Sequence, residues 1–469
     1  MEVTLTLTDV QHSRLKSHLF PNDGNEASAI ILCGRCAGDR RHRLVAREVH
    51  PISYRQCSTR TPTQVTWSTD VIVSLLERAE SQGWTVAKIH SHPNGAARFS
   101  TTDDKSDREL MPAIRGWFDD DFFHSSLVML PTGEMFGRYI DIDDNLVPLA
   151  HINVVGDDLL FWYAEPFDDT IPEFVASHTQ ALGEGTYERI RRLSIGVIGC
   201  SGTGSPVIEQ LARLGVGELV LIDGDFVEDR NINRILNATM NDVQDGRHKV
   251  DVLSDAISRI GIGTHVFQLN TDLWKPQAVR AVAQCDLIFG CVDTVDGRFL
   301  LSTLASHYML PYIDLGVRIH AVPDGEHKGN IQAICGSVHY LKPGGSSLIS
   351  RGVFTLEEVA AAGLARNDPV AHARQVKDGY VTGVPIARPA VISLNMNIAS
   401  LGVHELLARL HPFRDNPNSA YDHIQIDLAD MTVHFDSYPD PCPVFNMDVG
   451  KGDAKPLLGM LEFSEDITE

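Results

Sequence analysis

The densest chemical signal in the chain is Lys88-Ile-His90-Ser-His92-Pro-Asn-Gly-Ala-Ala-Arg-Phe-Ser100-Thr-Thr-Asp103. In an extended segment, the alternation His90-x-His92 sends both imidazoles to one face. Asp103, three residues after Ser100, can open a helix and turn its carboxylate back toward them. Two histidines and one carboxylate leave one coordination position for water, the pattern of a catalytic zinc site rather than a structural one. Zinc lowers the pKa of such a water to about 7 and polarises a carbonyl, which makes amide hydrolysis feasible. A bare H-x-H reads rather as a pair of surface histidines; the full spacing to Ser100 and Asp103 favours the metal. Asp104 and Asp107 read as solvent-facing or outer residues, not ligands.

A second cluster is Ile195-Gly-Val-Ile-Gly199-Cys-Ser201-Gly202-Thr-Gly204-Ser205. A tight glycine turn between a strand and a helix lets backbone N–H groups approach phosphate. Ser201 stands where a full G-x-G-x-x-G places its middle glycine, and the turn alone does not choose between NAD and ATP. Asp223 follows Gly199 by 24 residues, where an acidic side chain can accept both ribose hydroxyls.

The elements that position these residues are legible as patterns. Residues 1–150 read as an α/β unit. Its strands fall at Ser28–Cys33, Leu44–Val49 and Thr85–Ile89, and a hairpin over 124–141 turns at Pro131-Thr132-Gly133. Ile72, Leu75, Leu76 and Ala79 recur with helical spacing behind a Ser68 cap. Residues 151–185 are acidic and aromatic and read as a linker. From 186 to 469 the pattern is that of a parallel sheet. Strands lie at Ser194–Ile198, Glu218–Ile222, Val266–Leu269, Leu287–Cys291 and Tyr312–Asp314, with helices over Ser205–Leu214 and Ala390–Leu410.

Bulk properties bound the function. At 469 residues the chain exceeds one ordinary core. A hydrophobic fraction of 43% with 22% charged residues fits a soluble globular protein. The formal charge of −22 argues against nucleic acid as a partner. No basic-then-apolar leader and no apolar run of membrane length is visible, and the eight cysteines are scattered. The expectation is a cytoplasmic protein with neither membrane nor disulfide framework.

The first motif resembles the JAMM motif of JAB/MPN metallopeptidases: an upstream Glu, then H-x-H, seven residues, S-x-x-D. The seven intervening residues are 93–99. The resemblance implies one zinc held by His90, His92 and Asp103, a proton shuttle at Glu26, and Ser100 steadying an oxyanion. Glu48 is the rival for the Glu role. The second region resembles the ThiF/MoeB and ubiquitin-activating family. It has Asp223-Gly-Asp225, then Asn231-Ile-Asn233-Arg234, then Gly246-Arg-His-Lys249, and a strand running to Asp293. That resemblance implies ATP bound by Gly199, Gly202, Gly204, Asp223, Asp225, Asn231, Arg234 and Lys249, with magnesium on Asp293. Adenylation needs these charges, because a carboxylate attacks the α-phosphate while pyrophosphate is neutralised.

The expected fold class is therefore α/β: an N-terminal JAB/MPN domain followed by a Rossmann-like ThiF-type parallel-sheet domain. The expected function is zinc-dependent processing or deconjugation of a ubiquitin-like protein and ATP-dependent adenylation of its C-terminus. Such fusions resemble those of bacterial antiviral defence operons. Sulfur-carrier activation, or a scaffold with one inert site, is the alternative. A conjugating enzyme is a further partner in that reading, and a homodimer is implied by resemblance, although Ser177-His178-Thr179-Gln180 offers no arginine to a partner's ATP site. Relatives often hold a structural zinc on two C-x-x-C pairs; here Ser347, Ser350 and Cys442-Pro-Val-Phe445 stand in their place, so no zinc is expected there. The stretch Gly379–Pro385, where thioester-forming relatives carry a cysteine, has none, and Cys335 reads as a buried thiol.

Overall fold

The computed structural model describes residues 1–118, 122–167, 172–322, 330–377 and 390–464. The chain forms two compact units, one of residues 1–168, 307–309 and 448–469, the other of residues 169–306 and 310–447.

The first unit is built on β1 (Glu2–Thr8), β2 (Ser28–Ala37), β3 (Arg41–Pro51), the small hairpin β4 (Cys57–Thr61) and β5 (Gln64–Trp67), β6 (Thr85–Ser91), β7 (Ser125–Met129), β8 (Met135–Ile140), β9 (Leu146–Pro148), β10 (His151–Val155) and β11 (Leu159–Tyr163). All but the hairpin form one mixed sheet in the order β11-β10-β1-β3-β2-β6-β7-β8-β9. Helix α1 (Asp9–Leu19) covers one face, and α2 (Val73–Gln82) and α3 (Thr101–Phe118) cover the other. Successive residues of a strand point to opposite faces, so Ile31 packs with Leu15 and Leu19 while Ile30 and Leu32 pack with Leu76 and Ile114. This double burial explains why β2 reads as an unbroken apolar run.

The segment read as a linker begins with β10 and β11, which extend this sheet. Ile152 and Val154 lie in the same core cluster as Leu5, with Trp162 packed against it. Their alternation is strand-like, but the acidic residues that follow outweighed it in the sequence reading.

The second unit contains α4 (Ala176–Leu182), α5 (Glu184–Arg192), β12 (Ser194–Ile198), α6 (Gly204–Arg213), β13 (Glu218–Ile222), α7 (Met240–Gln244), α8 (Lys249–Ile260), β14 (His265–Leu269), α9 (Pro276–Ala283), β15 (Leu287–Gly290) and α10 (Val295–His307). There follow β16 (Tyr312–Val322), β17 (Asn330–Leu341), α11 (Leu356–Asn367), α12 (Pro369–Lys377), α13 (Ile392–Leu410), β18 (His423–Asp427) and β19 (Thr432–Asp436). The sheet order is β14-β13-β12-β15-β16-β17-β18-β19. The first five strands run parallel, and β17 to β19 continue antiparallel. The parallel half places the carboxyl ends of β12, β13 and β15 side by side, where ligands of such sheets bind. Among the described residues, no helix is long and apolar enough to cross a membrane.

Candidate active sites

In the first unit, antiparallel pairing sets Ser28 of β2 opposite His90 of β6. The Ala27 N–H donates to Ser91 Oγ at 3.0 Å, so Glu26 lies beside the end of β6. His90 points to the sheet face covered by α3, where Ser100 and Asp103 cap that helix reciprocally. The Asp103 N–H donates to Ser100 Oγ at 3.1 Å and the Ser100 N–H donates to Asp103 Oδ2 at 2.6 Å. The second of these bonds fixes the carboxylate. Its oxygens then lie 3.0 Å from His90 Nε2 and 3.3 Å from His92 Nε2, and the two imidazole nitrogens are 3.2 Å apart.

These side chains fit a metal by their own chemistry. One ligand atom from each of His90, His92 and Asp103 lies within 4.8 Å of the others, and all three residues are at least largely buried. His92 Nδ1 is 2.8 Å from the Ala96 carbonyl, which fixes the proton on Nδ1 and leaves Nε2 as the donor toward the cluster. Burial would raise the Asp103 carboxyl, but hydrogen bonds from His90 and His92 hold it well below the ordinary range. Burial pushes the Glu26 carboxyl up to about 7, with Asp103 adding to the rise and His92 and Lys88 opposing it. Glu48 is elsewhere, bound to His50 at 2.9 Å and Arg78 at 2.6 Å.

Three residues around this site carry more than their sequence signal showed. Asp107, read as an outer residue, is fully buried; it accepts from Lys88 Nζ at 2.5 Å and from Arg138 Nε and Nη2 at 3.0 and 2.6 Å. Arg138 also reaches Asp104 at 2.6 Å and lies 3.7 Å over the Phe99 ring. The hint was spacing: Asp107 follows Asp103 by one helical turn, and Lys88 precedes His90 by one strand repeat.

In the second unit, Gly199 follows β12 at φ +91°, and a Cβ there would meet the Cys291 carbonyl oxygen at 2.6 Å. A Cβ on Gly204 would stand 1.9 Å from the Gly199 carbonyl oxygen, so the turn closes only without side chains. The Cys200 N–H donates to Asp223 Oδ2 at 2.7 Å, which joins the turn to the end of β13. Burial raises the Asp223 carboxyl, and Lys249 opposes the rise. The buried Lys249 ammonium is 2.6 Å from Asp225 and 3.5 Å from Asp223.

The remaining predicted residues are distributed around this turn. Asn231 turns its side chain back on the chain, accepting from the Glu228 N–H at 3.1 Å. Three residues on, the Arg234 N–H donates to the Asn231 carbonyl at 3.0 Å and its guanidinium donates to the Arg230 carbonyl at 2.6 Å. The Arg234 Cδ stands 3.0 Å from where a Gly202 Cβ would be. Asp293 is exposed, just past β15. Five residues on, Arg298 is paired with Asp314, its Nε at 2.9 Å, and the Tyr312 hydroxyl donates to the same carboxylate at 2.6 Å.

Comparison with known proteins bears on both units. Residues 175–439 match the model of the ThiF family. The chain belongs to the ThiF family. Its residues 10–139 match the model for prokaryotic homologs of the JAB domain. The ubiquitin-like modifier-activating enzyme 5 of Aedes aegypti is 25% identical over 252 residues, 50% of this chain and 60% of that one. The enzyme of the same name from Drosophila willistoni is 31% identical over 160 residues, 32% of this chain and 37% of that one. The chain thus spans less than two thirds of the length of these relatives. A crystal structure of E. coli MccB with succinimide aligns at a TM-score of 0.44 and 17% identity, over 59% of this chain and 74% of that one.

Two other features of the ThiF unit complete the sequence reading. Ser347, Ser350 and Cys442 come together through hydrogen bonds, Ser347 Oγ donating to Cys442 Sγ at 3.0 Å and the Ser350 N–H donating to Ser347 Oγ at 3.3 Å. Cys335 lies on β17 between Arg318 and Asp427, half-buried, and burial raises its thiol. The stretch Gly379–Pro385 lies outside the described residues.

Proposed function

We propose that the ThiF unit adenylates the C-terminal carboxylate of a ubiquitin-like protein and that the first unit is a zinc peptidase acting on a ubiquitin-like precursor or conjugate. The observation that carries the adenylation reading is the Lys249 ammonium lodged beside Asp223 and Asp225 at the Gly199–Gly204 turn. A hydride-transfer site has no use for that cation, whereas a pyrophosphate leaving group requires one. In the proposed reaction the partner's carboxylate oxygen attacks the α-phosphorus of ATP. The acyl–phosphate bond forms, the bond to the β-phosphate breaks, and pyrophosphate leaves. Asp223 holds the ribose hydroxyls, Lys249 moves from Asp225 to the phosphates, and Arg234 approaches them from across Gly202. Asp293 would hold magnesium, whose chemistry there is charge neutralisation of the polyphosphate.

In the first unit His90, His92 and Asp103 would hold zinc, which when bound supplies a Lewis acid. Glu26, with its carboxyl near neutrality, takes the proton of the attacking water and returns it to the leaving amine. Ser100 accepts the Asp103 N–H through its oxygen, so its own O–H remains a donor for the developing oxyanion. We assign the chain a homodimer and an intracellular partner of bacterial ubiquitin-like type. The decisive experiment is exchange of labelled pyrophosphate into ATP with the purified chain and a candidate ubiquitin-like protein. Exchange only with a partner bearing a free C-terminal carboxylate is expected; a partner that binds without supporting exchange overturns the adenylation reading.

A further inference from the structure

Helix α13 ends, at its N-terminal side, against the phosphate turn. Its cap residue, Val391, makes no side-chain capping bond, so the first-turn N–H groups lack that partner. Asn395, in the second turn, is 3% exposed. Among the described residues its carboxamide makes no hydrogen bond, so its donor is open to a ligand. Its Nδ2 is the atom nearest the space over Gly202, 2.3 Å from where a Cβ would stand, and the next is Arg234 Cδ at 3.0 Å. An amide with no hydrogen-bond partner among the described residues, a helix N-terminus without a side-chain cap and an arginine stem therefore meet at one glycine.

We infer that Asn395 is a phosphate-binding residue of the nucleotide site, donating its amide to a phosphate oxygen of ATP held at Gly202, with the α13 N-terminus behind it. The inference deepens the adenylation reading and rests on it. The N-terminal end of a helix favours an anion, and the missing acceptor is supplied by the ligand. It also accounts for glycine at 202: a methyl group there would occupy the contact between amide and turn.

The test compares binding of ATP and adenosine to the full chain, by calorimetry, for wild type, Asn395→Asp and Asn395→Ala. A carboxylate of the same shape repels phosphate, so Asn395→Asp should weaken ATP binding on the order of 10- to 100-fold, the range for a hydrogen bond to a charged group. Asn395→Ala should fall between the two. Adenosine, which has the ribose but no phosphate, should bind all three proteins within about twofold, because nothing charged is lost. Unchanged ATP affinity in both variants overturns the inference, and so does an equal loss for ATP and adenosine, which would mark Asn395 as structural. A wild-type chain that binds ATP but supports no exchange removes the adenylation reading while leaving the variant comparison valid. A wild-type chain that binds neither ligand removes both.

Discussion

Replacing Asp107 by Asn tests whether the buried ion cluster beneath the histidines holds the first unit together. The carboxylate has no solvent exposure, and its partners Lys88 and Arg138 are only 8% and 11% exposed at the side chain. Asparagine keeps the shape but presents an NH2 group where one oxygen faced a cation. Arg138 retains Asp104 at 2.6 Å and the face of Phe99, so the uncompensated charge falls mainly on Lys88. Breaking a buried pair from one side costs about 3–5 kcal/mol. With a urea m-value of about 2 kcal/mol/M, the midpoint should fall by about 2 M. Four of the five tryptophans, Trp67, Trp84, Trp117 and Trp162, belong to this unit, so fluorescence in a Trp274→Phe background reports its unfolding. The double change Lys88→Met/Asp107→Leu removes both charges and should cost less than Asp107→Asn alone, because apolar replacement of a buried pair is often close to neutral. A midpoint shift for Asp107→Asn below about 0.5 M, which is ~1 kcal/mol, or a double variant weaker than the single, refutes the reasoning.

His124 is buried, its Nδ1 accepts the Val86 N–H at 3.1 Å, and burial, aided by Arg115, lowers its pKa to about 3. The unfolded chain takes up this proton below about pH 6.5 and the folded one does not, so the contribution is full above that pH. It falls by about 2 kcal/mol at pH 5; His124→Asn, which keeps an acceptor, should flatten the loss between pH 7 and 5 in urea titrations. Elemental analysis should find one zinc per chain, lost in His90→Ala/His92→Ala. Glu26→Ala should retain the metal and slow precursor cleavage by on the order of 10²–10⁴-fold; the same effect from Glu48→Ala instead would reassign the base. Asp293→Ala should abolish pyrophosphate exchange, and a non-reducing gel of enzyme, ATP and partner should show no thiol-sensitive adduct, since an adduct lost on Cys335→Ala would identify a nucleophile on β17.

What the sequence made legible follows from how local each requirement is. His90, His92, Ser100 and Asp103 were found because a strand repeat and a helix cap each span only a few residues. Glu26 depends on a long-range fact, the register of β2 on β6 that sets Ser28 opposite His90, and its role still rests on resemblance. The glycine turn was legible as well, but Asn395 could not be: it approaches Gly202 only after the chain has crossed the sheet and returned through α13. For Asp107 the sequence left two readings open, solvent-facing or outer, and the structure makes it the second. A carboxylate one turn into a helix is usually solvated, and only the arrival of Lys88 and Arg138 from two different strands makes its burial tolerable.

The same distinction bears on how the nucleotide site works. Lys249 and Asp223 belong to local motifs, and in this structure they satisfy each other: the ammonium rests between two carboxylates, 2.6 Å from the exposed Asp225. In the proposed reaction an entering phosphate draws Lys249 away from Asp225, so part of the attraction between the cation and the polyphosphate is offset by the pair that is broken. Asp225 is 77% exposed at its side chain while Lys249 is only 6% exposed, so water can solvate the carboxylate once the cation leaves it. The lysine is held near the turn by these carboxylates until a ligand arrives. Asp223, buried and joined to the Cys200 N–H, does not need to move for this to happen. Asp225→Asn should accordingly weaken ATP binding less than Asp223→Asn, which takes a buried charge from beside Lys249. Isothermal titration of the two variants decides the point: equal losses would mean that both carboxylates bind the nucleotide directly and that the resting pair is incidental.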